Sequence, residues 1–194
     1  MTMSDWRQLA ITSLSDPAQA ARILMAMRIP RNALWTGLVL VAVLNTILAG
    51  LSDIVIHNPT PLPTIFSVPA VYFAVVTGGL VLTVYSIFWT GRMMSGKGTL
   101  EDVLVLIVWL QMLRVMVQAV TLVLFLVMPM FAALLVFAAS LVGVYILVHF
   151  VDQAHRLGSV PRAAGVLIAS VLLIVLGLTM LLSLVGGAFM GRAP

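Results

Sequence analysis

The sequence predicts an all-α integral membrane protein. It reads as a five-transmembrane-helix bundle with a cytoplasmic N-terminus, a periplasmic or outer C-terminus and an N-terminal amphipathic interfacial segment. Three observations lead there. First, 62% of the 194 residues are hydrophobic and 8% are charged, about a third of the charged share of soluble domains, and the mean hydropathy is +1.20. Such a chain cannot cover itself with polar surface in water. Second, five apolar runs each reach the ~20 residues needed to cross a ~30 Å hydrocarbon core. They lack the dyad alternation of barrel strands, and only helices or closed barrels satisfy the backbone in lipid. Third, the basic residues collect on one side of the five runs.

Residues 1–32 form the polar to amphipathic leading segment, a cytoplasmic tail. In "SDPAQAARILMAMRI", Asp16 suits the N-cap, Pro17 the first helical position, and Gln19 completes a capping-box spacing. Ala20, Ile23, Leu24 and Met27 then share one face, with Arg22 and Arg28 away from its centre; Trp6, Leu9 and Ala10 make a weaker apolar face upstream. The pattern fits helices lying on a membrane surface and equally a short tail packed on the bundle. Asp5, Asp16 and Pro17 among arginines do not make a signal peptide, so insertion is expected to begin at a span that stays in the protein.

The transmembrane domain covers 33–192, with spans near 33–52, 68–91, 101–128, 130–151 and 163–190. The apolar stretch from 103 to 150 is too long for one crossing, and "VMPMF" supplies a sharp turn with Pro129 starting the next helix. With the N-terminus inside, Arg7, Arg22, Arg28, Arg31, Arg92, Lys97, Arg156 and Arg162 all face the cytosol, Arg192 lies outside and Arg114 falls within a span. That bias fixes the orientation. The pI near 10.4 therefore reports membrane topology, and neither nucleic acid nor nucleotide is expected as a partner. The outer loop "HNPTPLPT" should be stiff and extended. There is no cysteine, which excludes disulfides, thiol catalysis and thiolate-held metals.

Small residues recur at four-residue spacing: Ala70, Ala74 and Gly78 on the second span, Ala139 and Gly143 on the fourth, Thr179, Ser183 and Gly187 on the fifth. Such ridges let helix backbones approach closely. An ordinary seam within the bundle is their commonest use, and a contact with a second copy or another subunit is the alternative.

"GRMMSGKGT" resembles the start of a phosphate-binding loop, with Gly91, Gly96 and Lys97 correctly spaced, yet Gly98 occupies the position of the required Ser or Thr. The loop also leaves a transmembrane helix and not a strand. It reads better as a tight cytosolic turn in which Thr99 caps the third span, with Asp102 in the matching position and Glu101 near the positive helix end. His149, Asp152 and His155 could be drawn as a metal site, but His149 and His155 diverge around the helix axis, and an Asp152 to Arg156 pair accounts for the same residues. No metal, cofactor or catalytic residue is assigned.

Arg114 remains. It lies about 16 Å along the third span from Val103, and Gln111, Arg114, Gln118 and Thr121 form one polar stripe. A central arginine costs about 2.5–3.5 kcal/mol on insertion scales, and no span carries an acid at that depth. Three resolutions are open: burial in the bundle beside Asn45 and Ser/Thr groups, snorkelling to a lipid phosphate, or pairing with an acid of another chain.

"SDPAQAARIL" before the first span and "GRMMSGKGTLEDVLVLIVWLQMLRVMVQ" from the inner loop into the third resemble a bacterial member of the Yip family, the Rab-interacting five-span membrane proteins. The resemblance implies five spans, a cytosolic N-terminus and a non-enzymatic organiser. In eukaryotes the family serves vesicle traffic and membrane shaping by binding small GTPases. The "DLYGP"-type motif of those members is absent here, so no functional residue is carried over.

The reading is a non-enzymatic, multi-pass protein of the bacterial inner (cytoplasmic) membrane. It organises membrane or protein partners, as an accessory subunit of a larger complex or as a homo-oligomer. Its candidate partner and lipid contacts are Arg114, Gln111, Gln118, Ala70, Ala74, Gly78, Arg22 and Arg28. The alternative is a small-molecule or anion transporter that uses the polar stripe of the third span.

Overall fold

A computed structural model describes residues 3–56 and 68–190, with side chains over 4–55 and 68–180. The loop "HNPTPLPT", Arg192 and the side chains of Ser183 and Gly187 lie outside the described residues. Seven helices account for nearly all of what is described: α1 (Met3–Ser15), α2 (Pro17–Ala26), α3 (Arg31–Ile56), α4 (Pro69–Met93), α5 (Leu100–Val127), α6 (Pro129–His155) and α7 (Val160–Met190). The last five are long and apolar enough to cross a membrane, so the chain is a five-span helical membrane bundle. At 25–31 residues they measure about 38–46 Å, longer than a ~30 Å core.

The helix starts follow local chemistry. Asp16 Oδ1 accepts from Gln19 N at 2.9 Å with Pro17 at the first helical position. Thr99 and Asp102 form the reciprocal capping box, each bond 3.1 Å long. The α5–α6 turn is a single residue, Met128, followed by Pro129.

α5 packs against α3 and α6, α4 against α3 and α7, and α6 against α7. Burial is concentrated at the end that carries the basic residues. α3 buries Leu34, Leu38, Val41 and Ala42, and α4 buries side chains only from Leu80 onward. α5 buries five consecutive residues, Val103, Leu104, Val105, Leu106 and Ile107, and then Trp109, Leu110 and Val115. Five in a row point all round a helix, so the start of α5 is enclosed. α6 buries Ile146, Phe150 and Val151, with Ala132 the one buried side chain near its other end. Among the described residues, the buried side chains gather at the basic end of the bundle.

The N-terminal helices explain why the first third of α5 is covered on every side. α2 lies across α5 and α6, and α1 packs on α2. Ala20, Ala21 and Leu24 are buried in the same core as Val103, Ile107 and Leu110, so the leading segment is packed on the bundle. Trp109 Nε1 donates to Ser13 Oγ at 2.9 Å, Ser13 Oγ donates to Leu9 O at 2.8 Å, and the Trp6 and Trp109 rings stack 5.7 Å apart. Ile11 and Leu14 stay exposed on the other side of α1.

All four tryptophans sit in the basic half. About 20 residues counted from each far terminus end near Trp35 on α3, Trp89 on α4, Trp109 on α5 and His149 on α6, where Tyr145 lies 4.5 Å from the imidazole. Tyr85 stacks on Trp35. Tryptophan and tyrosine collect at membrane–water boundaries, and this belt marks one of them. It lies at the end that carries the basic residues.

Candidate functional site

At the basic end, the two connecting loops and the end of α2 are tied into one platform. His155, the last residue of α6, is fully buried. The loop from α4 to α5 wraps around it: a methyl group at Gly91 would overlap the imidazole Nε2, one at Gly96 would meet His155 Cβ at 2.8 Å, and one at Gly98 would meet Ala154 O at 2.6 Å. Lys97 N donates to His155 O at 2.9 Å and Gly96 N to Gly91 O at 2.8 Å. The three glycines of "GRMMSGKG" thus admit an imidazole. Asp152 does not pair with Arg156. Its carboxylate accepts from Ser159 N at 2.9 Å and Gln153 Nε2 at 3.1 Å, because Arg156 has turned into the left-handed region (φ 54) and ends the helix. Gln153 Oε1 in turn accepts from Arg22 Nη1 at 3.2 Å. Arg22 is therefore a strut between α2 and α6. Arg28, exposed and left-handed (φ 46), turns the chain from α2 into α3.

The polar stripe of α5 lies elsewhere. Arg114 is exposed, with Gln111 and Gln118 half-buried beside it. No hydrogen bond or ion pair of Arg114 is found among the described residues, so burial within the bundle is not how this charge is accommodated. The neutral groups at hand serve their own helices: Asn45 Nδ2 donates to Val41 O, Thr83 to Gly79 O and Ser140 to Val136 O. The hydroxyls of Thr121, on the same stripe, and of Thr77 on α4 are buried without a partner among the described residues. Arg114 stands two turns beyond Ile107 on one face of α5 and only about 8 Å beyond Trp109. Helical side chains lean toward the N-terminus, which for Arg114 is the direction of the aromatic belt.

The small-residue ridge of α4 is also outward. Ala70, Ala74 and Gly78 are all exposed, and a methyl group at Gly78 would meet nothing within 4 Å. Among the described residues this ridge faces away from the neighbours of α4, whose far half instead packs through Phe73 and Val76. Ala139 and Gly143, half-buried on α6, share the face of buried Ala132 and Ile146.

Below Arg114, toward the basic end, Ile87, Val103, Leu106, Ile107, Leu147, Phe150, Val151 and Ala154 line an apolar crevice of about 10 Å³, room for a single water. The arrangement offers charge and hydrogen-bond contacts at its surfaces. The tryptophan belt and the His155 cradle were not singled out from sequence; the clustering of all four tryptophans toward the basic ends was the available signal for the first.

The Yip1 domain family model matches residues 11–182, from within α1 to α7. The chain belongs to the Yip1 domain family. The match takes in α2 as well as the spans. No curated protein and no solved structure matches the chain. As a Yip1-domain protein with five apolar helices, it is an integral, multi-pass membrane protein in contact with the bilayer.

Proposed function

We propose that the protein is a non-enzymatic organiser of the bacterial inner membrane that holds another membrane protein, as an accessory subunit or as a second copy, against α4 and α5. One observation carries the reading. Of the two surfaces best suited to helix packing, the Ala70–Ala74–Gly78 ridge is exposed among the described residues, and the Gln111–Arg114–Gln118 stripe carries exposed Arg114 between two half-buried glutamines. Small ridges and polar stripes are what helices use to associate in lipid, and an unpaired arginine within a span is a partner site by default. In the free chain, the lean of Arg114 toward the aromatic belt makes its exposure tolerable through lipid phosphate.

The test is extraction of the native membrane into lipid nanodiscs and identification of co-purifying chains. Arg114→Leu and Gly78→Leu should each strip the partner while leaving the melting temperature near that of the parent. A chain that is monomeric and alone after crosslinking in the membrane overturns the proposal.

A further inference from the structure

A cleft of about 250 Å³ opens where the α2–α3 turn meets the start of α5. Its floor is apolar, made by Leu24, Met25, Ile29, Leu34 and Val105, and its mouth carries Arg28, Glu101 and Asp102. Leu34 adjoins Trp35, so the apolar end of the cleft reaches the boundary marked by the tryptophan belt, and its charged mouth lies on the basic side of it. The size suits a headgroup and the start of a chain, below the range of drug-sized sites.

The charge at the mouth is unlike the rest of this end of the molecule. Eight basic residues collect there, a surface that attracts anionic lipid, yet the cleft itself is lined by two carboxylates and one guanidinium. Asp16 and Asp152 serve as caps, and Asp102 gives Oδ2 to Thr99 N. Glu101 caps nothing, and its contact with Arg31 Nε is long, at 3.9 Å, with both side chains about half exposed. An occupant that matches this mouth has a hydrogen-bonding cation and an anion a few bonds apart, joined to an apolar tail.

We infer that the cleft binds an aminophospholipid headgroup, its ammonium on Glu101 and Asp102, its phosphate on Arg28, and its first acyl segment along the Leu24–Leu34–Val105 floor. Three N–H donors favour a primary ammonium over the quaternary ammonium of a choline headgroup, which offers none to a carboxylate. The site does not involve Arg114 or the α4 ridge, so it stands apart from the proposed partner contact.

The test uses the full chain in nanodiscs holding equal parts phosphatidylethanolamine, phosphatidylglycerol and phosphatidylcholine, with retained lipid counted by native mass spectrometry. Phosphatidylethanolamine should be retained about tenfold over the other two, the order set by one charge-assisted hydrogen bond. Glu101→Gln should abolish that preference, and Arg28→Gln should weaken retention. Arg31→Gln, which removes the long ion pair but no lining group, should keep it; loss there as well would mean that the ion pair alone matters and would overturn the assignment. Equal retention of the three lipids, competition by free phosphoethanolamine as strong as by the lipid, or a protein in place of lipid crosslinked at Met25 would each overturn it too.

Discussion

Gly91→Ala is the sharpest test of how the basic end is built. Gly91 lies in the last turn of α4, and an added methyl group would stand inside the imidazole of His155, overlapping Nε2, Cδ2 and Cε1. His155 is fully buried, with Gly96 and Gly98 closing on its other sides, so the ring has no room to retreat and must leave its cradle. Overpacking costs typically 1–3 kcal/mol and more where nothing can give. Alanine in a helix returns about 1 kcal/mol of propensity. With the ring unable to give way the overpacking sits at the upper end, so the net is a loss of about 2 kcal/mol, or roughly 4–8 °C of melting temperature for a chain of this size. His155→Ala alone empties the cradle and costs a similar amount. The double variant should be about 2 kcal/mol more stable than the sum of the two predicts, because the new methyl then fills vacated space. Thermal melts of the four proteins in one lipid composition supply the cycle. Gly91→Ala as stable as the parent, or a coupling near zero, would refute the cradle and leave "GRMMSGKG" an open loop.

Further outcomes follow from the same end of the molecule. Ser13→Ala removes the acceptor for buried Trp109 Nε1, which should cost about 1–3 kcal/mol and speed protease cleavage between α1 and α2. Thr99→Ala removes half of the capping box at α5 and should lower stability by about 1 kcal/mol in denaturant titration. Ser95→Gly relieves a left-handed residue (φ 65) and should raise stability by about 0.5–1 kcal/mol in the same titration. Lys97→Ala should leave the melt unchanged, since Lys97 meets His155 through its backbone N–H; a magnesium nucleotide that shifted the parent's melt but not this variant's would contradict that.

The five spans were legible because apolar length alone requires them, and the α5–α6 turn because Pro129 cannot sit inside a helix that long. Helix ends were less so. α6 runs to His155 against a span read to 151, since a helix continues past the hydrocarbon when its polar end has partners, here Lys97 N and the Ser159 turn. Asp16, Pro17 and Thr99 announced their caps, because capping is local. The fate of the apolar face around Ala20 and Leu24 was not announced: amphipathicity looks the same against lipid and against α5. Nor was the position of the Ala70 ridge, because small residues record what a helix surface can do and not which neighbour is there. The Gly91–His155 contact joins residues 64 positions apart, and its three glycines imitate a phosphate loop, so spacing pointed to the wrong chemistry before the missing hydroxyl and strand excluded it. For Arg114 the sequence supplied the stripe, and the structure supplied the exposure and the short distance to the tryptophan belt.

The central claim is that the α5 stripe faces another protein in the membrane. A photoreactive residue replacing Gln118, irradiated in intact native membranes, tests it most directly. The account predicts a discrete protein adduct, another membrane subunit or a second copy, that disappears when Arg114→Leu is combined with it. Adducts to lipid alone, with or without Arg114, would contradict it.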